Sequence, residues 1–316
     1  MNESPAAPLY RLIGRIRKPE SLRELMAACL RSVYMGTPLT ADEDAIPKTP
    51  AVLLDEVLLE TEHINGIRCA VYSPRVRQSN RLPVLFYMHG GGFVIGCSED
   101  TDYVTRRLCH SNHIVVVSIN YRLAPETMFP GALTDCTNVV QSVLSASAKF
   151  AIDPSCVFFA GDSAGGNLAL SLFLNLNEDR DAIKGLVLLA PWLDMAVEQY
   201  ESYNQLAPQG IVFDAPFIGY SRAAYVTSEQ WQNHLASPIH ASLSTLPPTL
   251  VLVGTADPLL DQSLLLNERA KEQGCKQLEV DVYRDMPHCF YSFPGLFQEE
   301  QECFKRIAQF ISAVIA

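Results

Sequence analysis

The residues that could do chemistry begin with one serine. Gly161-Asp162-Ser163-Ala164-Gly165 sits between the apolar run Cys-Val-Phe-Phe and the helix-forming run Asn-Leu-Ala-Leu-Ser-Leu-Phe-Leu. The five residues fit Gly-x-Ser-x-Gly, the elbow that holds a nucleophilic serine on a strained turn between a strand and a helix. A glycine two residues away on each side keeps bulky side chains out of that turn. An ordinary Gly-Ser turn satisfies the same pattern, but the strand before it and the helix after it favour the elbow.

A serine hydroxyl is a poor nucleophile at neutral pH, so it needs a base, and the base needs an orienting carboxylate. Behind such an elbow the partners follow in the order acid, then histidine. His63, His89, His110 and His113 precede Ser163, and His234 and His240 precede the last apolar strand. His288, in Tyr-Arg-Asp-Met-Pro-His-Cys-Phe, is left as the base. For the acid, Asp257 leaves the end of the run Thr-Leu-Val-Leu-Val-Gly, whereas Asp261 already lies in the next helix. Helix capping ahead of Pro258 is a competing account of Asp257.

Acyl transfer also requires donors aimed at the developing oxyanion. His89-Gly90-Gly91-Gly92 follows Pro-Val-Leu-Phe-Tyr-Met, and glycines there let backbone N–H groups approach a substrate closely. The expected donors are the N–H groups of Gly91, Gly92 and Ala164. His89 and Gly90 are expected to support the loop, and Asp162 to support the elbow. A phosphate-binding role fits poorly. No Lys-Ser/Thr pair follows the glycines, and they are consecutive where a dinucleotide fingerprint spaces them.

These residues need a scaffold that brings them together. Val-Leu-Leu-Asp-Glu-Val-Leu-Leu-Glu and Ile-Arg-Cys-Ala-Val-Tyr-Ser-Pro read as two strands joined at Asn65-Gly66, a hairpin signal. Six further short apolar runs, beginning at Pro83, Ile114, Cys156, Gly185, Thr249 and Leu278, read as strands. Helical spacing occupies roughly 102–109, 131–149, 167–177, 259–273 and 297–315. Alternation of this kind gives an α/β fold, a mostly parallel sheet of about eight strands with helices on both faces. Residues 1–50 and 194–240 break the pattern yet carry large apolar side chains. They are expected to be two parts of a cap over a core formed by 51–193 and 241–316.

Composition narrows the partners. The 316 residues carry a formal net charge of -11, which argues against nucleic acid or an anionic membrane surface. The apolar runs are about half a bilayer span, and the N-terminus offers no signal-peptide pattern, so a cytoplasmic protein acting on a small molecule is expected. Nine cysteines without a Cys-x-x-Cys pair suggest free thiols. Adjacent Cys109 and His110 cannot easily converge on one ion with His113, so no metal and no cofactor are expected. The edge strand Leu-Glu-Val-Asp-Val-Tyr leaves a homodimer open.

Taken together, His-Gly-Gly-Gly, Tyr-Arg-Leu-Ala-Pro-Glu, Gly-Asp-Ser-Ala-Gly-Gly, Asp-Pro-Leu-Leu-Asp-Gln and His-Cys-Phe, spread over roughly residues 80–290, resemble the α/β-hydrolases of the hormone-sensitive-lipase group. The likeness is greatest to bacterial short-chain carboxylesterases such as acetyl esterases. The resemblance implies an eight-stranded sheet, a helical cap, and a cofactor-free serine hydrolase with Ser163, Asp257 and His288 as its triad. It also implies that Tyr121 and Glu126 support the active-site loops. An amidase or a longer-chain lipase would use the same residues. A binding protein on this scaffold, as the plant gibberellin receptors are, is disfavoured because His288 is present, and a scaffold acting through its cap is a further alternative.

Overall fold

The computed structural model describes residues 49–316 apart from 78, 177–179, 210–212 and 296. The N-terminal part of the expected cap, residues 1–48, therefore lies outside the described residues.

The described residues open with helix α1 (Ala51–Glu56), which corrects the strand expected from Val52. Pro50 sits at its N-cap and the extended strand begins only at Val57. Strand β1 (Val57–Ile64) turns back into β2 (Ile67–Pro74) with Ile64 opposite Ile67. The two-residue turn holds Asn65 at φ 52° and Gly66 at φ 79°. Two positive φ angles are what a tight hairpin between right-twisted strands requires.

Next come β3 (Leu82–Met88), α2 (Asp102–Asn112), β4 (Val115–Ile119), α3 (Gly131–Ser145) and α4 (Ser147–Phe150). The single helix expected over 131–149 is thus two pieces. They are followed by β5 (Ile152–Asp162), α5 (Ala164–Asn175) and β6 (Ile183–Leu189). Then come α6 (Glu201–Leu206), α7 (Ala215–Tyr225), β7 (Thr249–Ala256), α8 (Leu260–Glu272), β8 (Leu278–Pro287) and α9 (Gln298–Ile315).

The eight strands form one sheet in the order β1-β2-β4-β3-β5-β6-β7-β8. β1, β2 and β4 pair antiparallel, and from β4 to β8 every pairing is parallel. The inner strands read as apolar runs because both faces are covered, whereas β1 and β8 at the edges are only partly buried. Alternate residues of β3 go to opposite cores. Val84, Phe86 and Met88 join the side chains of α3 and α5, while Leu85 and Tyr87 join those of α2 and α9. Period-two alternation along a strand buried on both sides produces this division.

The crossover order decides where a site can form. β3 is flanked by β4 on one side and β5 on the other, with Met88 opposite Gly161. The chain thus reverses its winding direction at β3, and in open α/β sheets such a point leaves a crevice beyond the carboxyl ends of the strands. The glycine run follows β3 and Ser163 follows β5.

Candidate active site

The turn at Ser163 is built by what its neighbours lack. Ser163 takes φ 53° and ψ -117°, outside the regions that L residues adopt freely. A Cβ on Gly165 would stand 1.9 Å from the carbonyl oxygen of Met88, and one on Gly161 2.3 Å from that of Gly165. Any larger residue at either place would force the strand and helix apart. Backbone bonds hold the strained residue from both sides. Ser163 N–H donates to the Leu189 carbonyl at 2.9 Å, and the Ser163 carbonyl accepts from Trp192 N–H at 3.0 Å and Asn167 N–H at 3.2 Å. The side chain is buried, and its Oγ has no hydrogen-bond partner among the described residues. It is an oxygen held in place and left uncommitted.

Asp257 and His288 come from the ends of β7 and β8. His288 Nδ1 lies 2.9 Å from Asp257 Oδ2, and both residues are buried. The other carboxylate oxygen of Asp257 accepts from Leu259 N–H at 2.8 Å. That bond closes a local turn two residues on and does not cap the helix, whose N-cap is Leu259 with no side-chain cap bond, so the capping account does not hold and the orienting contact does. Helix α8 itself begins at Leu260, so Pro258 is not its first residue. Burial pulls the His288 imidazole down, but the Asp257 carboxylate and the neighbouring Cys289 together outweigh burial and hold it well above the ordinary histidine value.

Asp162 ties the elbow to the glycine loop. Its Oδ1 accepts from Tyr87 O–H at 2.7 Å and from Gly90 N–H at 3.0 Å. A Cβ on Gly90 would meet Asp162 Oδ2 at 2.3 Å. Burial raises this carboxyl above the usual aspartate range, against the lowering effect of its Tyr87 and Gly90 bonds. His89 is a brace. Its Nδ1 lies 2.7 Å from the Gly90 carbonyl oxygen, its ring stacks on Tyr121 at 4.2 Å, and Tyr121 O–H donates to the His89 carbonyl at 2.7 Å. Desolvation by burial lowers the imidazole to about 4, so it is neutral at ordinary pH and donates through Nδ1. Gly91 and Gly92 follow at φ 109° and 61°. Glu126, by contrast, is exposed and makes no hydrogen bond or ion pair with another described residue. Of the two residues named for loop support by resemblance, Tyr121 makes the contacts.

The segment between β6 and β7 supplies residues that pattern reading does not single out. Phe213 stacks on the His288 ring at 4.7 Å and meets Trp192 and Phe217 edge-on at 5.6 and 5.7 Å. Phe217 and Ser221, on α7, press against Gly92, and Tyr225 stacks on Phe93 at 3.7 Å. Asn167 anchors the segment, its amide donating to the carbonyls of Trp192 and Ala236, each at 2.8 Å. Cys289, next to the base, adopts φ 58° with its Sγ 4.0 Å from Asp162 Oδ2. Cys109, His110 and His113 do not converge. Cys109 is buried, His110 bonds Glu56, and His113 ends α2 in the left-handed conformation.

A family model described as alpha/beta hydrolase fold matches residues 85–292. The chain belongs to that family. An arylesterase of Saccharolobus solfataricus is 31% identical over 255 residues, covering 79% of this chain and 81% of its own. Among solved structures, a hyperthermophilic esterase from the archaeon Pyrobaculum calidifontis superposes with a TM-score of 0.79 at 30% identity, covering 100% of this chain and 99% of the other. A hormone-sensitive lipase from a metagenome library gives 0.78 at 26% identity over 100% of both chains. The expected kinship with the hormone-sensitive-lipase group and the α/β-hydrolase fold class are both borne out.

Proposed function

We propose that this chain is a serine carboxylesterase that hydrolyses small, short-chain acyl esters through a covalent acyl-enzyme. The observation that carries the reading is the buried pairing of His288 with Asp257 at the ends of two neighbouring strands, together with an uncommitted Ser163 Oγ on the strained turn after β5. The names of its relatives, an arylesterase and esterases, support ester hydrolysis as the reaction class.

In this mechanism His288 Nε2 takes the Ser163 proton as Oγ attacks the ester carbonyl carbon. The carbonyl π pair moves onto oxygen, where the N–H groups of Gly91, Gly92 and Ala164 stabilise it. Collapse expels the alcohol, which leaves with the proton held by His288. Water then repeats the sequence on the acyl-enzyme and releases the acid. Asp257 fixes the tautomer and stabilises the transient imidazolium. Asp162, Tyr87 and His89 act through the loop, keeping the glycines in register with the elbow.

The short-chain preference rests on the aromatic ring of Phe213, Phe217 and Trp192 around His288 and Gly92. In this reading residues 194–240, described apart from 210–212, belong to a cap over the sheet ends. Pairing of two copies through the β8 edge is a separate proposal, tested by the mass in solution. For specificity, rates on p-nitrophenyl acetate, butyrate, octanoate and palmitate are the test. Activity highest on the short esters supports the assignment, and a maximum at palmitate contradicts it. Matched amides decide against the amidase alternative if they are hydrolysed far more slowly than the esters.

A further inference from the structure

One face of α7 covers the glycine loop. Phe217, Ser221 and Tyr225, spaced four apart and so on one side of the helix, lie against Gly92 and Phe93. Two of the three are aromatic, as are Phe213 and Trp192 nearby. Tyr225 also carries a buried, unpartnered hydroxyl, but Ser221 is the hydroxyl that lies against Gly92. It is fully buried, and its Oγ has no hydrogen-bond partner among the described residues. A helical serine ordinarily satisfies itself on the carbonyl one turn earlier, and this one does not.

A buried hydroxyl left unpaired costs the free protein stability, and in a native structure it needs a reason. Position suggests one. Ser221 Oγ lies 2.6 Å from where a Cβ on Gly92 would be. Earlier in the same loop, a Cβ on Gly165 of the elbow would meet the His89 carbonyl oxygen at 2.6 Å. The loop from His89 to Phe93 is therefore in contact with both the turn of Ser163 and the helix of Ser221. Each of these contacts brings a buried serine hydroxyl without a partner among the described residues.

We infer that Ser221 Oγ–H donates a hydrogen bond to the ester carbonyl oxygen as it becomes an oxyanion, adding a side-chain donor to the backbone donors of the loop. The inference rests on the serine-esterase reading above. The contrary account is steric: a serine is small enough to let α7 approach Gly92, and its hydroxyl does nothing. The two accounts differ in what alanine does. Under the steric account Ser221→Ala keeps full activity; under the donor account it removes an unpaired hydroxyl from the free protein and a bond from the transition state.

The experiment uses the full chain as wild type, Ser163→Ala, Ser221→Ala and Ser221→Cys. It measures kcat and KM on p-nitrophenyl butyrate, inhibition by an alkyl trifluoromethyl ketone, and the thermal midpoint. The ketone tests the oxyanion directly, because Ser163 Oγ adds to its carbonyl carbon, the π pair moves to oxygen, and the serine proton goes to His288. The donor account expects kcat to fall about tenfold in both Ser221 variants with KM changed less than about twofold, the midpoint of Ser221→Ala no lower than wild type, and ketone affinity reduced in step. Unchanged kcat and ketone affinity in Ser221→Ala overturn the inference, as does a loss confined to KM. A lower midpoint that Ser221→Cys restores together with activity assigns the residue to packing and overturns it too. If wild type is active, Ser163→Ala is dead and Ser221→Ala is undiminished, the inference alone fails. If wild type and Ser163→Ala hydrolyse the ester equally, the site reading fails and takes the inference with it.

Discussion

Replacing Asp257 by Asn changes one buried oxygen to an amide while keeping the shape. The carboxylate lies 2.9 Å from His288 Nδ1 with both groups out of water. Two unit charges at that distance attract by about 6 kcal/mol at an effective dielectric of about 20. That attraction exists only while His288 carries the serine proton, so it acts on the transition state and little on bound substrate. Its loss corresponds to about a 10⁴-fold fall in kcat at roughly 1.4 kcal/mol per decade. Leu259 N–H can still be met by the side-chain carbonyl oxygen of Asn, so the loop should survive. The pH profile supplies an independent sign. His288 works neutral, its affinity for a proton is raised by Asp257, and activity is lost as pH falls through that raised value. Without the carboxylate the lowering effect of burial is opposed by Cys289 alone, so the acid limb must move to lower pH. Stopped-assay rates on p-nitrophenyl butyrate from pH 5 to 9 measure both quantities. A loss under about tenfold, or an acid limb that stays in place, would refute the assigned role of Asp257.

Three further outcomes are expected from the geometry. Burial holds His89 at about 4 against about 6.5 in an unfolded chain. The unfolded state then binds the extra proton first, and stability drops by about 1.4 kcal/mol per pH unit between those values, about 3 kcal/mol in all. Urea unfolding of His89→Gln beside wild type at pH 7 and pH 4.5 should show a smaller acid loss in the variant; equal losses contradict the burial argument. Gly165→Ala places a methyl 1.9 Å from the Met88 carbonyl oxygen, and should cost at least about 3 kcal/mol of stability, read in the same titration, with activity lost; a folded, active variant contradicts the packing of the elbow. Phe213→Ala opens the aromatic ring over His288. The ratio of octanoate to acetate rates should rise several-fold, and an unchanged ratio removes Phe213 from acyl-chain selection.

Much of this architecture is legible in the sequence, for local reasons. The inner strands are visible because a strand buried on both faces must be nearly all apolar, and the hairpin because Asn65-Gly66 tolerates the two positive φ angles of its turn; the edge strands β1 and β8 are only partly buried. Ser163, Asp257 and His288 can be chosen because loops at strand ends carry the chemistry of open α/β sheets, and chain order leaves little choice among the histidines. The short helix before β1 escapes because Val-Leu-Leu-Asp-Glu has helical and extended readings, and only Pro50 at its start marks the difference. The contacts of Asp162 with Tyr87, of Phe213 with His288 and of Ser221 with Gly92 join residues far apart in the chain. No local spacing encodes such meetings. Glu126 is exposed, and a motif does not say which of its side chains face inward.

The central claim is that Ser163 carries the acyl group. Acid-quenching the protein during turnover of p-nitrophenyl butyrate, then mapping the added mass by peptide mass spectrometry, tests it most directly. One butyryl group on the peptide containing Ser163, absent in Ser163→Ala along with hydrolysis, is the predicted result. A butyryl group on another residue, or hydrolysis that survives Ser163→Ala, would contradict it.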